Sequence, residues 1–115
     1  EIRHKMYNDT VEMILEKAAS FDMPVVVTGD FNFTVASPYY RALTGGILSD
    51  VSKVAEVADS GGTIHDYTGI TDGATIDFIC VNKKVSDVKT YKIIRDTYDG
   101  KYVSDHYPIC ADIIL

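Results

Sequence analysis

The sequence has few features of a membrane protein, an exported protein or a broad nucleic-acid binder. No apolar run approaches the roughly 20 residues that a membrane span needs, and no basic start followed by an apolar stretch indicates a signal peptide. Its 11 lysines and arginines are outnumbered by 17 aspartates and glutamates, which gives a formal net charge of −6. This balance argues against broad electrostatic adhesion to nucleic acid, although metal-dependent phosphodiester cleavage itself uses carboxylates.

Cysteine is scarce, and glycine-rich phosphate loops are absent. Cys80 and Cys110 each lie inside an apolar, strand-like run, which predicts reduced and buried thiols rather than a disulfide or a metal-binding pair. The three histidines are scattered and show no zinc-ligand spacing. Because no glycine-rich loop follows a strand, a small nucleotide-binding domain is not favoured.

The sequence does contain a short apolar strand that ends in polar side chains. The β-branched run Val25–Val27 predicts a strand buried on both faces, and Gly29 lets the backbone leave it. If the extended period of two continues, Asp30 and Asn32 point one way and Phe31 points into the core. Ligands of open α/β sheets bind at such strand ends. The alternative is an ordinary turn, because Asp and Asn often hydrogen-bond their own backbone.

Length and periodicity predict one layered domain with a modest core. An amphipathic helix is predicted over Ile2–Phe21, and Ser37-Pro38 is typical of the start of a second helix. The strands are predicted at Val25–Val27, Thr63–Thr68, Thr75–Val81, Asp87–Arg95 and Tyr107–Leu115. An Asp72-Gly73 turn is predicted to join the second and third of these strands as a hairpin. The fold class is therefore α/β, or layered α+β, with one mainly antiparallel sheet of about five strands and two helical segments.

One acid in the Thr75–Val81 strand needs a partner. Asp77 shares a face with apolar neighbours, where a carboxylate is costly unless it is paired. His106 offers that partner, because an aspartate that accepts from one imidazole nitrogen fixes the tautomer and leaves the other nitrogen for substrate or water. A nucleophilic triad through Ser104 is not favoured, because positions so close in sequence rarely converge.

The remaining polar side chains at the strand ends are oxygen donors. A hard, oxygen-liking metal such as magnesium suits a site built from Asp30, Asn32, Asp77 and Asp105 better than zinc does.

Three separated motifs together resemble the endonuclease/exonuclease/phosphatase superfamily, the deoxyribonuclease-I-like group. They are Gly29–Asn32, Ile76–Ile79 and Ser104–Pro108, and they occur in the family's order. The Gly62–His65 run and the helix that begins at Ser37–Tyr39 resemble a bacterial branch of it. The resemblance covers residues 1–115 and implies half of a four-layer α/β sandwich, the C-terminal part of the family's domain.

The resemblance also implies roles for individual residues. Asp30 would orient or deprotonate an attacking water, and Asn32 would hold that water or a phosphate oxygen. His106, oriented by Asp77, would donate to the phosphoryl oxygen. Asp105 would serve a site for Mg²⁺, with Mn²⁺ as the alternative. Two further candidates for substrate binding are Thr63 and His65, and for His65 a structural hydrogen bond is the alternative.

The sequence departs from the family in lacking its N-terminal half, which carries the main metal-ligand glutamate. We therefore expect an incomplete phosphoesterase, weakly active or inactive alone, whose exposed sheet face binds the missing half or a second copy. A small phosphoester is slightly favoured over nucleic acid as substrate. The competing hypothesis is a non-catalytic domain that binds a phosphate ligand or another protein. Any targeting segment would lie upstream, so the compartment is not indicated.

Overall fold

Three helices and six strands make up the chain. A computed structural model describes all residues from Glu1 to Leu115. In chain order the elements are α1 (Ile2–Ala19), β1 (Val26–Asp30), α2 (Pro38–Thr44), β2 (Leu48–Asp50), α3 (Val51–Val54), β3 (Val57–Ala58), β4 (Asp77–Asn82), β5 (Asp87–Ile93) and β6 (Ile109–Ile114). None of the helices is long and apolar enough to cross a membrane.

The strands form two sheets of three. The first sheet has the order β1-β4-β2 and is antiparallel throughout. The second sheet has the order β3-β5-β6, with β3 parallel and β6 antiparallel to β5. The predicted α/β class is confirmed, whereas the predicted single sheet of about five strands and the count of two helices are wrong.

The central strand β4 joins the two cores of the domain. Its side chains alternate, so Phe78 and Cys80 pack among the side chains of α1 and α2, while Ile79 and Val81 pack towards the second sheet. A strand that is covered on both faces must be apolar on both, which is the composition read in the sequence. Asp77, the first residue of β4, lies on the face of Ile79 and Val81.

Local sequence signals account for the helix ends. Ser37 is the N-cap of α2, where its hydroxyl accepts from the Tyr39 N–H at 3.0 Å, and Pro38 is the first helical residue. The first helix ends at Ala19 rather than at the predicted Phe21. The hydroxyl of Ser20 donates to the carbonyl of Lys17 at 2.6 Å and closes the last turn.

The predicted hairpin between Thr63–Thr68 and Thr75–Val81 does not form. The first of these segments is a loop with a single isolated bridge, Ile64 to His106. Asp66 and Tyr67 have φ values of 52° and 62°, in the left-handed region that no strand adopts. Apolar and polar residues alternate in this segment because one side of the loop packs inward. The alternation alone therefore did not distinguish the loop from a strand.

Two smaller predictions about burial were also wrong. The strand β1 is an edge strand rather than one buried on both faces, and Val26 is 45% exposed. Cys80 is free and buried as predicted, whereas Cys110 is free and exposed on the edge strand β6.

The first sheet extends beyond the second at β1, which leaves a step. Val26 and Thr28 of β1 are exposed, although their cross-strand partners Val81 and Ile79 are buried against the second sheet. The molecule is correspondingly flat, with principal extents of 44 × 39 × 20 Å. An edge strand without lysine or proline is a template for pairing with another chain.

We propose that this step mediates self-association of the isolated chain. The substitution Val26→Lys should lower the association, because a charge on an edge strand opposes both apolar burial and strand pairing. Sedimentation velocity over a range of concentrations measures the effect. Met13→Lys, a change on the exposed side of α1, is the matched control, and a monomer at all concentrations in the unmodified chain would contradict the proposal.

Candidate active site

Two aspartates lie directly opposite each other where β1 and β4 meet their loops. Asp30 ends β1 and pairs in register with Asp77, the first residue of β4. The Phe31 N–H donates to the Ile76 carbonyl at 2.8 Å in the adjacent pair. Asp30 and Asp77 therefore form a non-hydrogen-bonded pair, the type in which opposite Cα atoms are only about 4.5 Å apart. The sheet register alone brings the two carboxylates to one face.

His106 completes a cluster with these two acids. Its Nδ1 lies 2.8 Å from Asp77 Oδ2 and its Nε2 lies 3.9 Å from Asp30 Oδ2. One ligand atom from each of the three residues lies within 4.8 Å of the others. With the carboxylate of Asp77 as acceptor, Nδ1 carries the proton and Nε2 is left facing Asp30 and the solvent. The predicted pairing of Asp77 with His106 agrees with this geometry.

The cluster opens into a shallow cleft at the step between the sheets. A cavity of about 360 Å³ is lined by Asp30, Asp77, Ser104, His106, Tyr107, Pro108 and Ile109. The side chains of Asp30, His106 and Asp77 are 41%, 24% and 17% exposed, so each can reach a ligand from solvent. A larger cavity of about 540 Å³ elsewhere contains none of the three residues.

Short backbone turns hold two of these side chains in place. Asp30 Oδ1 accepts from the Asn32 N–H at 2.9 Å, which leaves Oδ2 directed to His106. Ser104 Oγ accepts from the His106 N–H at 3.1 Å and lies 3.4 Å from Asp105 Oδ1. Sequence reasoning considered Ser104 only as a nucleophile. A serine two residues before a functional histidine is also the signal of a side-chain turn, and that signal was missed.

The electrostatics of the cluster favour positive charge. The hydrogen bond to Asp77 raises the pKa of His106 above its usual value, with further support from the charges of Asp77, Asp30 and Asp105, while partial burial opposes the shift. Two carboxylates side by side repel each other unless a cation lies between or beside them. Carboxylate oxygens are the ligands that hard divalent cations prefer, so Asp30 and Asp77 fit such an ion.

Two of the predicted site residues lie beside this cluster rather than within it. The strand ends at Asp30, and Asn32 has a φ of 58°, so the expected period-two alignment of these two side chains does not occur. Asn32 is exposed, and its N–H rather than its side chain contacts Asp30. Asp105 does not belong to the group of three close ligand atoms, although it is half-buried and its charge acts on His106.

Thr63 is completely buried, and its hydroxyl faces the backbone of β4. Its Oγ1 accepts from the N–H groups of Ile76 and Asp77 at 3.1 and 3.3 Å. None of its surface is exposed. Thr63 is therefore not accessible to a substrate in this structure, although the sequence predicted such a contact.

His65 is also buried, in an aromatic stack. Its ring lies on that of Tyr107 with centroids 4.0 Å apart and an interplanar angle of 16°, and the edge of Tyr102 packs 4.6 Å away. The residue is 1% exposed, and neither ring nitrogen has a hydrogen-bond partner. Neither the structural hydrogen bond considered from the sequence nor a solvent-facing substrate contact is present at its ring.

Comparison with known proteins gives the family. The profile of the Endonuclease/Exonuclease/phosphatase family matches residues 8–106. This chain belongs to that family. Among curated proteins, none matches the chain with significance. The name of the family covers endonucleases, exonucleases and phosphatases.

Solved structures have the same fold. A family member from Bacteroides vulgatus is 34% identical, with a TM-score of 0.85, and the match covers 96% of this chain and 44% of that one. Another from Bacteroides thetaiotaomicron is 25% identical, with a TM-score of 0.86 and coverage of 95% and 44%. A mannosyl-6-phosphatase of the same organism is 24% identical, with a TM-score of 0.83 and coverage of 98% and 46%. The chain thus spans less than half the length of these relatives.

The pKa of His106 in this family member can be measured directly. We expect it to titrate above the ordinary value of about 6.5, because Asp77 stabilises the imidazolium. The contribution of protonated His106 to the stability of the folded chain is then fully present below the ordinary pKa. It is lost as the pH rises through the raised pKa. NMR titration of the His106 ring measures this, and Asp77→Asn should lower the pKa more than Asp30→Asn does. Titration of unmodified His106 at or below its ordinary value would contradict the assignment.

Substitutions at His65 distinguish packing of the ring from hydrogen bonding by its nitrogens. His65→Phe should change the free energy of unfolding by less than about 1.5 kcal/mol, because it keeps the stack on Tyr107 and removes two unpaired nitrogens. His65→Ala should destabilise by roughly 2–4 kcal/mol through the cavity it leaves. Urea unfolding measures both. Equal losses for the two variants would show that the ring nitrogens, rather than the ring, are required.

Proposed function

We propose that this chain carries part of the active site of a metal-dependent phosphoesterase, which hydrolyses a phosphodiester or a phosphomonoester with an activated water. The observation that carries the proposal is the cluster of Asp30, Asp77 and His106 in an open cleft. An acid, an oriented imidazole and a second acid within one small space provide both a proton acceptor and a proton donor. A domain that only binds phosphate has little need for two adjoining carboxylates.

Each side chain has a role that follows from its surroundings. Asp30 is the most exposed of the three, and its Oδ2 is free to accept a hydrogen bond or a proton from an attacking water. Asp77 holds the proton on Nδ1 of His106. His106 then presents Nε2 to the cleft, and in its protonated form it donates to a phosphoryl oxygen and offsets the charge that develops there.

A divalent cation, Mg²⁺ or alternatively Mn²⁺, is part of the proposal for an electrostatic reason. A phosphate ester is an anion, and it would approach two carboxylates on a chain of net charge −6. A cation bound through these acids, with Asp105 and Asn32 as nearby oxygen donors, would supply Lewis-acid stabilisation of the phosphoryl group. Without it, repulsion between substrate and site would oppose binding.

The substrate class and the completeness of the site are further parts of the proposal. A small phosphoester suits the acidic surface better than a long nucleic acid, which needs a basic one. Since the chain spans 44% of its relatives' length, we propose that residues 1–115 are the C-terminal part of the family's domain. Full activity would then require the complementary segment, with self-association at the open step as the alternative for the isolated chain.

Hydrolysis assays test the proposal. The substrates are an aryl phosphodiester, an aryl phosphomonoester, a hexose 6-phosphate and double-stranded DNA, each with Mg²⁺, with Mn²⁺ and with a chelator. The chain is assayed alone and fused to the complementary segment of the Bacteroides vulgatus relative. We expect the fusion to hydrolyse substrate faster than the chain alone does. In the fusion, His106→Ala should lower kcat/KM by roughly 10²–10⁴-fold.

The control for this substitution is His4→Ala, which removes an exposed histidine of α1. Loss of activity on chelation and in the His106 variant only would agree with the proposed site. Saturable phosphate binding without turnover in the fusion would instead favour the non-catalytic binding domain. Activity that survives His106→Ala would contradict the role given to this residue.

A further inference from the structure

One short loop segment is hydrogen-bonded to Asp77 and to the residues on either side of His106. On one side it lies along the His106 segment, where the Tyr107 N–H donates to the Thr63 carbonyl at 2.7 Å and the His65 N–H donates to the Asp105 carbonyl at 2.9 Å. Ile64, between them, forms the isolated bridge with His106. The backbone of residues 63–65 therefore holds the backbone of residues 105–107, and His106 with it, in place.

On its other side the same segment holds the start of β4. The Thr63 hydroxyl oxygen accepts from the Ile76 and Asp77 N–H groups. Because Asp77 forms a non-hydrogen-bonded pair with Asp30, its N–H points away from β1. On that side the neighbour β2 reaches only as far as Cys80 in register. Thr63 supplies the acceptor that a neighbouring strand would otherwise provide.

We propose that Thr63 is a positioning residue, which sets the distance between the Asp77 carboxylate and the His106 imidazole by hydrogen-bonding the backbones of both segments. The Thr63 hydroxyl oxygen accepts from the Asp77 N–H, and the Thr63 carbonyl accepts from the N–H of Tyr107, next to His106. Both contacts therefore come from one residue. Its complete burial excludes direct contact with a ligand in this conformation. The consequence for catalysis rests on the proposed function, whereas the geometric part does not.

A polar acceptor is required at this position rather than bulk alone. Two partly buried N–H groups without a partner would each carry a cost of desolvation, and the strand end would shift to regain water. Valine has the shape of threonine but no acceptor, and serine has the acceptor but less bulk. The pair Thr63→Val and Thr63→Ser therefore separates hydrogen bonding from packing.

The test uses NMR of the chain, with two reporters that do not depend on activity. The first is the low-field proton resonance of His106 Nδ1–H, which reports the hydrogen bond to Asp77. The second is hydrogen exchange of the Asp77 amide. We expect Thr63→Val to shift or abolish the first signal and to speed the exchange by about tenfold or more, and Thr63→Ser to retain both.

Thr75→Val is the matched control, because the Thr75 hydroxyl donates to the Gly61 carbonyl in the same loop rather than bonding to β4. Equal changes in this variant would overturn the proposal, since general loosening of the loop would then explain them. An unchanged His106 signal in folded Thr63→Val would also overturn it. If Thr63→Val does not fold, the unmodified chain and Thr63→Ser decide. Rapid exchange of the Asp77 amide in the unmodified chain, or loss of the His106 Nδ1–H signal in folded Thr63→Ser, would overturn the proposal. Slow exchange and a retained signal in both proteins would support it.

Turnover by the complete enzyme gives a separate outcome. With a competent fusion, Thr63→Val should lower kcat by roughly 10- to 100-fold and change KM by less than about threefold, because the residue orients a catalytic pair without touching substrate. If the unmodified fusion is inactive, the proposed function fails while the NMR result still decides the positioning role.

Discussion

The close approach of two carboxylates across an antiparallel pair is the constraint on which the site depends. Asp30 and Asp77 face each other in a non-hydrogen-bonded pair, so the register of β1 on β4 places two negative charges together. The raised pKa of His106 is one response of the structure to this charge. The suitability of the two acids for a divalent cation has the same cause, because both effects arise from the local excess of negative potential.

The position of this pair explains its access to solvent. β1 extends past the region that the second sheet covers, so Val26 and Asp30 are exposed while their partners in β4 are partly or fully buried. The step that admits a ligand to the acids also leaves an unpaired strand edge. Openness at the site and the proposed self-association would therefore have one structural cause, and relatives of more than twice this length have further chain that could cover the edge.

The sequence predicts those parts of the fold and site that depend on local pattern. A lone acid in an apolar run led from Asp77 to His106, and the Ser37 cap followed from residue type. The division into two sheets did not follow, because strand order depends on contacts between distant segments. The prediction of Thr63–Thr68 as a hairpin arm was wrong for the same reason. The course of this loop depends on the close approach of Gly62 to Gly73 and on bonds to residues 105–107.

Thr63 and His65 show why residue type alone does not reveal a functional role. A threonine and a histidine near the proposed phosphoesterase site are reasonable substrate contacts, yet both are buried and face the protein. The two members of the Asp77–His106 pair come from the start of one strand and from a loop before another, so neither element alone fixes the 2.8 Å between them. The loop segment at residues 63–65 is hydrogen-bonded to both elements, which is the basis of the positioning role proposed for Thr63. On this proposal, a buried residue that does not reach a substrate would control the geometry of the side chains that contact it.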